Sequence, residues 1–425
     1  MRRFLLFTSI LISVMALPSC SRLPSQIPTQ TPALQRESTP QASAADLTEL
    51  VRGNNDFAFS MYGEISSSKG NLFYSPYSIS IALAMTYAGA RNRTADQMAQ
   101  ALHFTLPQEQ LHLAVNRLAL ELDSRSAAED LPPDQAFQFN AANSLWGQSD
   151  YHFEADFLDV LARNYGAGMR LVDFPADPEA ARREINDWVS GETEEKINNI
   201  VPVGAIKDVT RLVLANAVYF KAAWQNPFPE EATQPGDFRL LEGPLVEVPM
   251  MHVRADLRIA NGEGFRAVEL PYAGGKISML ILLPDEGRFA DVESALDAGI
   301  LTKTLDGLQP VTVLLAFPKF KFTWEAEDLP EDFKALGMKD AFSKAADFSG
   351  MAGIPDLFIG AILHKAFVGV DEAGTEAAAA TVVVMDREAV SSAPAAIGID
   401  RPFLFLIRDN PTGAILFLGR VMDPS

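Results

Sequence analysis

The sequence predicts an α+β protein, on three observations. Short stretches of near-continuous apolar character, such as Thr210–Trp224 and Arg401–Arg408, read as buried strands. Segments with apolar residues on a 3.6-residue period, such as Asp46–Ile65, read as amphipathic helices. With 425 residues, 48% of them hydrophobic, the chain can bury a large core as one big domain or two ordinary ones.

Arg2-Arg3, the apolar run Phe4–Leu17 and then Pro18-Ser19-Cys20 form the three zones of an export signal, placing a signal peptide at 1–19. The apolar run is too short and wrongly flanked for a spanning helix. Cys20 is the only cysteine, so it cannot form an internal disulfide. Leu17-Pro18-Ser19-Cys20 resembles a bacterial lipobox, which implies that Cys20 is acylated and becomes the first mature residue; ordinary cleavage and secretion is the alternative. The chain is therefore expected outside the cytoplasm, membrane-anchored at the cell envelope, or extracellular if it is not lipidated. Residues 20–45 are rich in Pro, Ser, Thr and Gln with almost no aromatics, and read as a disordered tether before a folded body at 46–425. The formal charge of −20 becomes about −22 without Arg2 and Arg3, which argues against a nucleic-acid partner.

The body opens with Asp46 as a candidate cap for the helix to Ile65. Asn71–Ala90 reads as a short strand, a Ser75-Pro76 helix start with proline in the first turn, and an almost wholly apolar, buried helix. Thr94-Ala-Asp-Gln97 has capping-box spacing. Phe137–Trp146 reads as a strand, Phe153–Tyr165 as a helix and Asp177–Asn199 as a longer helix whose Glu192, Glu194 and Glu195 form a solvated face. Thr210–Trp224 is a strand covered on both faces, so Asn216 within it needs a partner. Pro271–Pro284 and Val311–Thr323 alternate strands with Gly and Pro turns, and the C-terminus reads as a buried hairpin turning at Asn410–Gly413. His364 lies on an apolar strand, where a lone histidine is ordinarily a satisfied core residue. His103, His112, His152 and His252 form no metal-ligand spacing; no metal and no cofactor are implied.

Val370–Ala389 contradicts itself. Glu376–Ala380 are strong helix formers, while Thr381–Val384 are β-branched. As a strand, one face would carry Thr375, Ala377, Ala379, Thr381 and Val383, uncharged and small enough to slide into a sheet, with Glu376 on the other face. Gly374 precedes the run, where it permits a sharp change of direction. From this window alone, an Ala-rich surface helix or linker is an equal reading.

The stretch Glu372-x-Gly374-Thr375-Glu376-Ala377-Ala378-Ala379-Ala380-Thr381 resembles the hinge of the reactive-centre loop in inhibitory serpins. The likeness extends in order over Asp46–Ser425, including Asp347-Phe-Ser-Gly-Met351 and the C-terminal hairpin. It implies a single domain of about nine helices and about three sheets, with the loop exposed at one pole. It further implies that Ser75 and Ser78 lie at the shutter, where the central strands part. Asn216 would bond His364, and Trp224 would stand at the breach, where the loop first enters.

The resemblance also implies a function. The protein is expected to be a monomeric suicide inhibitor of serine, or alternatively cysteine, proteases and not an enzyme; neither a Gly-x-Ser-x-Gly nor a His-Glu-x-x-His motif occurs. Serpin loop insertion is a standard strain-releasing switch, so this mechanism is carried over from the family. Counting from Glu372 in the family frame selects Glu388, with cleavage before Ala389. Arg387 would instead suit the acidic pocket of a trypsin-like enzyme, and Met385 or a later residue is a third option. The alternative function is a non-inhibitory serpin-fold binding or structural protein at the cell surface. Small, uncharged Thr375, Ala377 and Ala379 favour inhibition.

Overall fold

The computed structural model describes residues 29–30, 34–126, 137–375 and 394–425. Thr29–Gln30 forms a short strand, β1, and Ala44–Ile65 the first helix, α1. Ser43 is the N-cap of α1: its hydroxyl accepts from the Asp46 amide while the Asp46 carboxylate accepts from the Ser43 amide. Asp46 is thus the far arm of a capping box and not the cap itself, so the ordered body starts before residue 46. Leu72–Tyr74 (β2) leads through the Ser75 cap and Pro76 into α2, Pro76–Tyr87, which is buried almost all round.

The helix α3 (Asn92–Ala101) begins before Thr94. Thr94 Oγ1 accepts from the Asp347 amide and Gln97 Oε1 from the Lys339 and Asp340 amides, so the capping box expected at Thr94–Gln97 is instead a set of tertiary contacts. There follow α4 (Gln108–Ser126), β3 (Gln138–Gln148), α5 (Ala155–Tyr165), β4 (Met169–Val172) and α6 (Pro178–Glu192). The helix expected to reach Asn199 stops at Glu192, because Glu194 and Glu195 take positive φ of 49° and 60°, which no helix can continue.

The chain continues through β5 (Leu212–Ala223), β6 (Gln234–Arg239), β7 (Leu245–Gly262), β8 (Phe265–Pro271) and β9 (Ile277–Pro284). Two helices, α7 (Phe289–Ala295) and α8 (Ala298–Gly307), precede β10 (Gln309–Pro318) and β11 (Phe320–Glu325). After α9 (Leu329–Ala335) and α10 (Ser349–Ala352) come β12 (Ala361–Val370), β13 (Gly374–Thr375), β14 (Ala395–Gly398), β15 (Phe403–Asp409) and β16 (Ile415–Val421).

The strands form a seven-stranded sheet, ordered β1-β4-β3-β5-β13-β12-β11, and a nine-stranded one. The second runs β14-β10-β7-β8-β9-β15-β16-β2 with β6 on β7. At 18 residues, β7 is long enough to pair with β6 over Leu245–Met250, with β10 over Met250–Ile259 and with β8 over Arg258–Gly262, which joins these strands into one hydrogen-bonded path.

Both faces of β5 are covered, which is why its sequence is almost uninterrupted in apolar residues. The helix α2 packs on β3 and β5 from one side. From the other, α6 and the segment after it bury Ile185, Val189, Ile197 and Val201 against Val213, Ala215 and Phe367. Arg170 on β4 reinforces that layer, its guanidinium lying 4.4 Å over the Trp188 ring of α6 and 5.6 Å from that of Trp146.

The tether reading of 20–45 needs correction over its described part. β1 pairs antiparallel with the edge strand β4, Thr29 opposite Arg170. Leu34–Ala42 docks along α4 and α5 through wholly buried Asn116: its Oδ1 accepts from Arg36 Nε at 2.8 Å, and its Nδ2 donates to the Glu37 carbonyl at 2.7 Å. The Glu37 amide donates to the Arg163 carbonyl, and Arg117 holds the Ala42 carbonyl. Polar backbone pairing orders a segment that has too few apolar residues to pack. Replacing Asn116→Ala strands those partners, and should cost about 1–3 kcal/mol and expose Leu34–Ala42 to early cleavage in limited proteolysis; unaltered protection would show that Asn116 does not hold the segment.

Candidate functional site

The site lies on the seam between β5 and β12. Their parallel pairing runs over seven rungs, Ala361–Phe367 against Val213–Tyr219, with His364 directly opposite Asn216 in the middle. Both side chains are 1% exposed. The Ser75 amide donates to His364 Nε2 at 3.2 Å, so Nε2 is the acceptor and the proton sits on Nδ1, which donates to Asn216 Oδ1. Asn216 Nδ2 donates to Ser78 Oγ at 2.6 Å and also to Asn143 Oδ1, and the Ser78 hydroxyl donates to Asn143 at 3.0 Å. Ser75 caps α2 by accepting from the Ser78 amide and donates its own hydroxyl proton to the Leu416 carbonyl. A single chain of bonds therefore joins α2, β3, β5, β12 and β16 beneath the seam. Burial pushes the His364 imidazole down to about 3, since a second proton would face the Ser75 amide with no acceptor.

Above that clasp the seam is wedged open. Gly374–Thr375 stands between β5 and β12: Gly374 is opposite Ala223 and Thr375 opposite Ala222 on one side, and Thr375 opposite Val370 on the other. A Cβ added at Gly374 would come within 2.1 Å of the Ala222 carbonyl oxygen. Glycine is required there by close backbone approach, not by the change of direction the sequence suggested; the reversal itself is made by Asp371, whose carboxylate accepts from the Ala373 and Gly374 amides. Thr375 is 1% exposed and shares a 2.7 Å hydrogen bond with the Tyr272 hydroxyl.

The turn is pinned at several points. Trp224 donates its amide to the Ala373 carbonyl and its indole N–H to the Asp371 carbonyl, and its ring stacks on Tyr272 at 4.5 Å. The Glu372 carboxylate is held by Lys319 Nζ at 2.7 Å and Thr233 Oγ1 at 2.7 Å. Burial opposes ionisation of Glu372, but those two bonds win and keep the carboxyl below its ordinary range.

A two-layer frame with a half-inserted strand at the top of its central seam and a neutral polar clasp beneath it is a specific arrangement. A family model described as Serpin (serine protease inhibitor) matches residues 52–424. The chain is a serpin. It is 38% identical to an uncharacterized serpin-like protein of Thermococcus kodakarensis, over 88% of this chain and 86% of that one. It is 39% identical to the leukocyte elastase inhibitor of Equus caballus, over 89% of this chain and the whole of the relative. Among solved structures it matches uncleaved ovalbumin (TM-score 0.78, 29% identity, 88% of this chain and 100% of that one). It also matches the thermophilic serpin tengpin in its native state (0.81, 27%, 94% and 100%). A third match is human thyroxine-binding globulin bound to its hormone (0.79, 30%, 89% and 100%). Since a leukocyte elastase inhibitor and a thyroxine-binding globulin both stand among the kin of this serpin, membership alone does not assign inhibition.

Ser75, Ser78, Asn216 and His364 meet in one network, and Glu372, Gly374, Thr375 and Trp224 meet in a second above it. Glu376, Ala377, Ala378, Ala379 and Ala380 lie outside the described residues, as do Arg387, Glu388, Ala389 and Cys20. Sequence reasoning missed Asn143, Lys319, Thr233 and Tyr272. Asn143 alone carried a signal, being a second asparagine on an apolar strand, and it pairs directly with Asn216.

His364, and His112 on α4, which burial lowers to about 4, are neutral when folded but titrate near the ordinary 6.5 when unfolded. The unfolded chain therefore takes up protons first: the stability these residues lend is complete above pH 6.5 and drains away as pH falls through the interval below it. Each should contribute a slope of about 1.4 kcal/mol per pH unit between pH 6 and 5. Chemical denaturation at stepped pH checks this, with His364→Gln expected to flatten the slope by that amount; an unchanged slope would mean that His364 is charged when folded.

Proposed function

We propose that this serpin is a suicide inhibitor of serine, or alternatively cysteine, proteases, exported and held at the cell envelope by lipid on Cys20. The observation that carries the inhibitory reading is the first rung: Gly374 and Thr375 already occupy the space between β5 and β12 that an inserting strand would fill. In sequence the residues that follow on the inward face, Ala377 and Ala379, are small and uncharged. A protease attacks the loop near Arg387–Ala389 and forms its acyl-enzyme, and the freed segment then continues the rung. Continuing the register carries Glu376 to Lys221 and Thr381 to the Asn216–His364 pair, so insertion replaces the β5–β12 pairing rung by rung. At about 3.3 Å per residue, roughly fifteen residues would drag the protease tens of ångströms and distort its active site. The new ladder bonds and burial supply the driving force that the metastable form forgoes.

Mixing the protein with trypsin-like and elastase-like proteases should yield a covalent complex that survives boiling in detergent. Mass spectrometry of the released C-terminal peptide then fixes the bond: a peptide beginning at Ala389 assigns Glu388 as the residue before the cut, and one beginning at Glu388 assigns Arg387. Clean cleavage by the whole panel with no complex would defeat the inhibitory reading. In Thr375→Arg, a guanidinium would have to occupy a site 1% exposed, at a cost of about 3–5 kcal/mol if unpaired. That variant should fold but be cleaved as a substrate, with at least tenfold more inhibitor consumed per protease trapped.

The lipid anchor follows from the lipobox resemblance at Cys20 and from the export signal before it. Wild-type protein expressed in a bacterium should fractionate with membranes, and Cys20→Ala should move it to the soluble fraction; a soluble wild type with unmodified Cys20 would count against anchoring.

A further inference from the structure

We propose that Tyr272 is a positioning residue of the inhibitory reaction: its hydroxyl holds Thr375 in the first inserted rung, and so sets the register and speed with which the rest of the loop enters. The proposal rests on the inhibitory reading for its second half only.

The ring of Tyr272 has little freedom. It stacks flat on Trp224, 4.5 Å between centroids at 10°, and meets Phe220 edge-on at 5.3 Å. Its backbone is fixed as well: the amide donates to the Ile277 carbonyl at 3.0 Å, and the residue forms a bridge with Trp224. Tyr272 follows β8, in the second sheet, so its hydroxyl reaches Thr375 from the sheet that does not open. Tyr272 and Thr375 are each 1% exposed. Water therefore cannot replace a lost partner cheaply, and a hydroxyl left alone there is penalised.

Register follows from the same bond. A slip by one residue would bring Gly374 or Glu376 to the position of Thr375. Glycine offers no hydroxyl to Tyr272, and glutamate would bury a charge. Tyr272 thus accepts one residue of the hinge at that rung and rejects both neighbours. A bond from the fixed sheet also means that insertion after cleavage starts from an anchored end, with no first rung left to form.

The test uses intact protein and four variants: Tyr272→Phe, which keeps the ring stack, Thr375→Val, which keeps the volume, Thr375→Ser, which keeps the hydroxyl, and the Phe/Val double variant. The first readout is hydrogen exchange of the uncleaved protein, followed by mass spectrometry on peptides covering Asp371–Thr375. Tyr272→Phe and Thr375→Val should each speed exchange roughly five- to tenfold, Thr375→Ser should match wild type, and the double variant should recover toward wild type because no hydroxyl is left unpaired. The second readout is the number of inhibitor molecules consumed per protease trapped, which should rise several-fold in both single variants and fall back in Thr375→Ser. Should Tyr272→Phe fail to fold, Thr375→Val and Thr375→Ser interrogate the same bond from the other side. Exchange unaltered in the single variants, or strictly additive in the double, overturns the proposal whatever the inhibition data show. Faster exchange with unchanged stoichiometry overturns the claim that this bond governs insertion. A wild type that traps no protease, with exchange altered as expected, removes the inhibitory reading and leaves Tyr272 only the holding of the hinge.

Discussion

The β5–β12 seam is the constraint on which the molecule turns. Along its lower seven rungs the two strands satisfy one another's backbone groups, yet at its top they are prised apart by two residues of the chain that follows β12. A sheet cannot be half closed without a cost, because the pairing must change partner where the wedge ends. The layers around the seam resist change there. The polar chain from Ser75 through His364 and Asn216 to Ser78 and Asn143 crosses it from below, and α6 covers it from the opposite face. A buried network whose members share donors and acceptors in this way is stiff, since moving one member strands the next.

The hinge turn is built with the opposite logic. Its contacts come from many directions: Lys319 and Thr233 on the carboxylate, Trp224 on two carbonyls, Tyr272 on a hydroxyl. None of them is a long ladder. They hold a short segment firmly without contributing an extended ladder: the described pairing of β13 covers only Gly374 and Thr375.

Much of this frame was legible in the sequence because burial on two faces leaves an unmistakable apolar run, as in β5, and because Ser75-Pro76 is a helix start by its own chemistry. The His364–Asn216 contact was reachable only through family likeness, since nothing local says that residues so far apart share a rung. Tyr272 was illegible, being one aromatic among strand residues until its neighbour across the sheets is known. Gly374 was noticed for the wrong reason: close approach depends on which backbone lies alongside, and a sequence does not display that. The segment before Ser43 was misread for a physical reason too. Composition registers apolar content, but Arg36 and the Glu37 backbone dock by hydrogen bonds to Asn116, which composition cannot count.

The docking of Thr29–Gln30 on the edge of β4 has a geometric consequence for a chain acylated at Cys20. From that cysteine to Thr29 the chain could reach at most roughly 30 Å, less than the width of a body of this size, whose radius of gyration is about 21 Å. A link so short would not let an anchored molecule tumble above a bilayer. On the proposed anchoring and inhibition, the β4 edge would lie toward the lipid and the body would swivel about that corner, so the mooring as well as the loop would limit the direction from which a protease could approach.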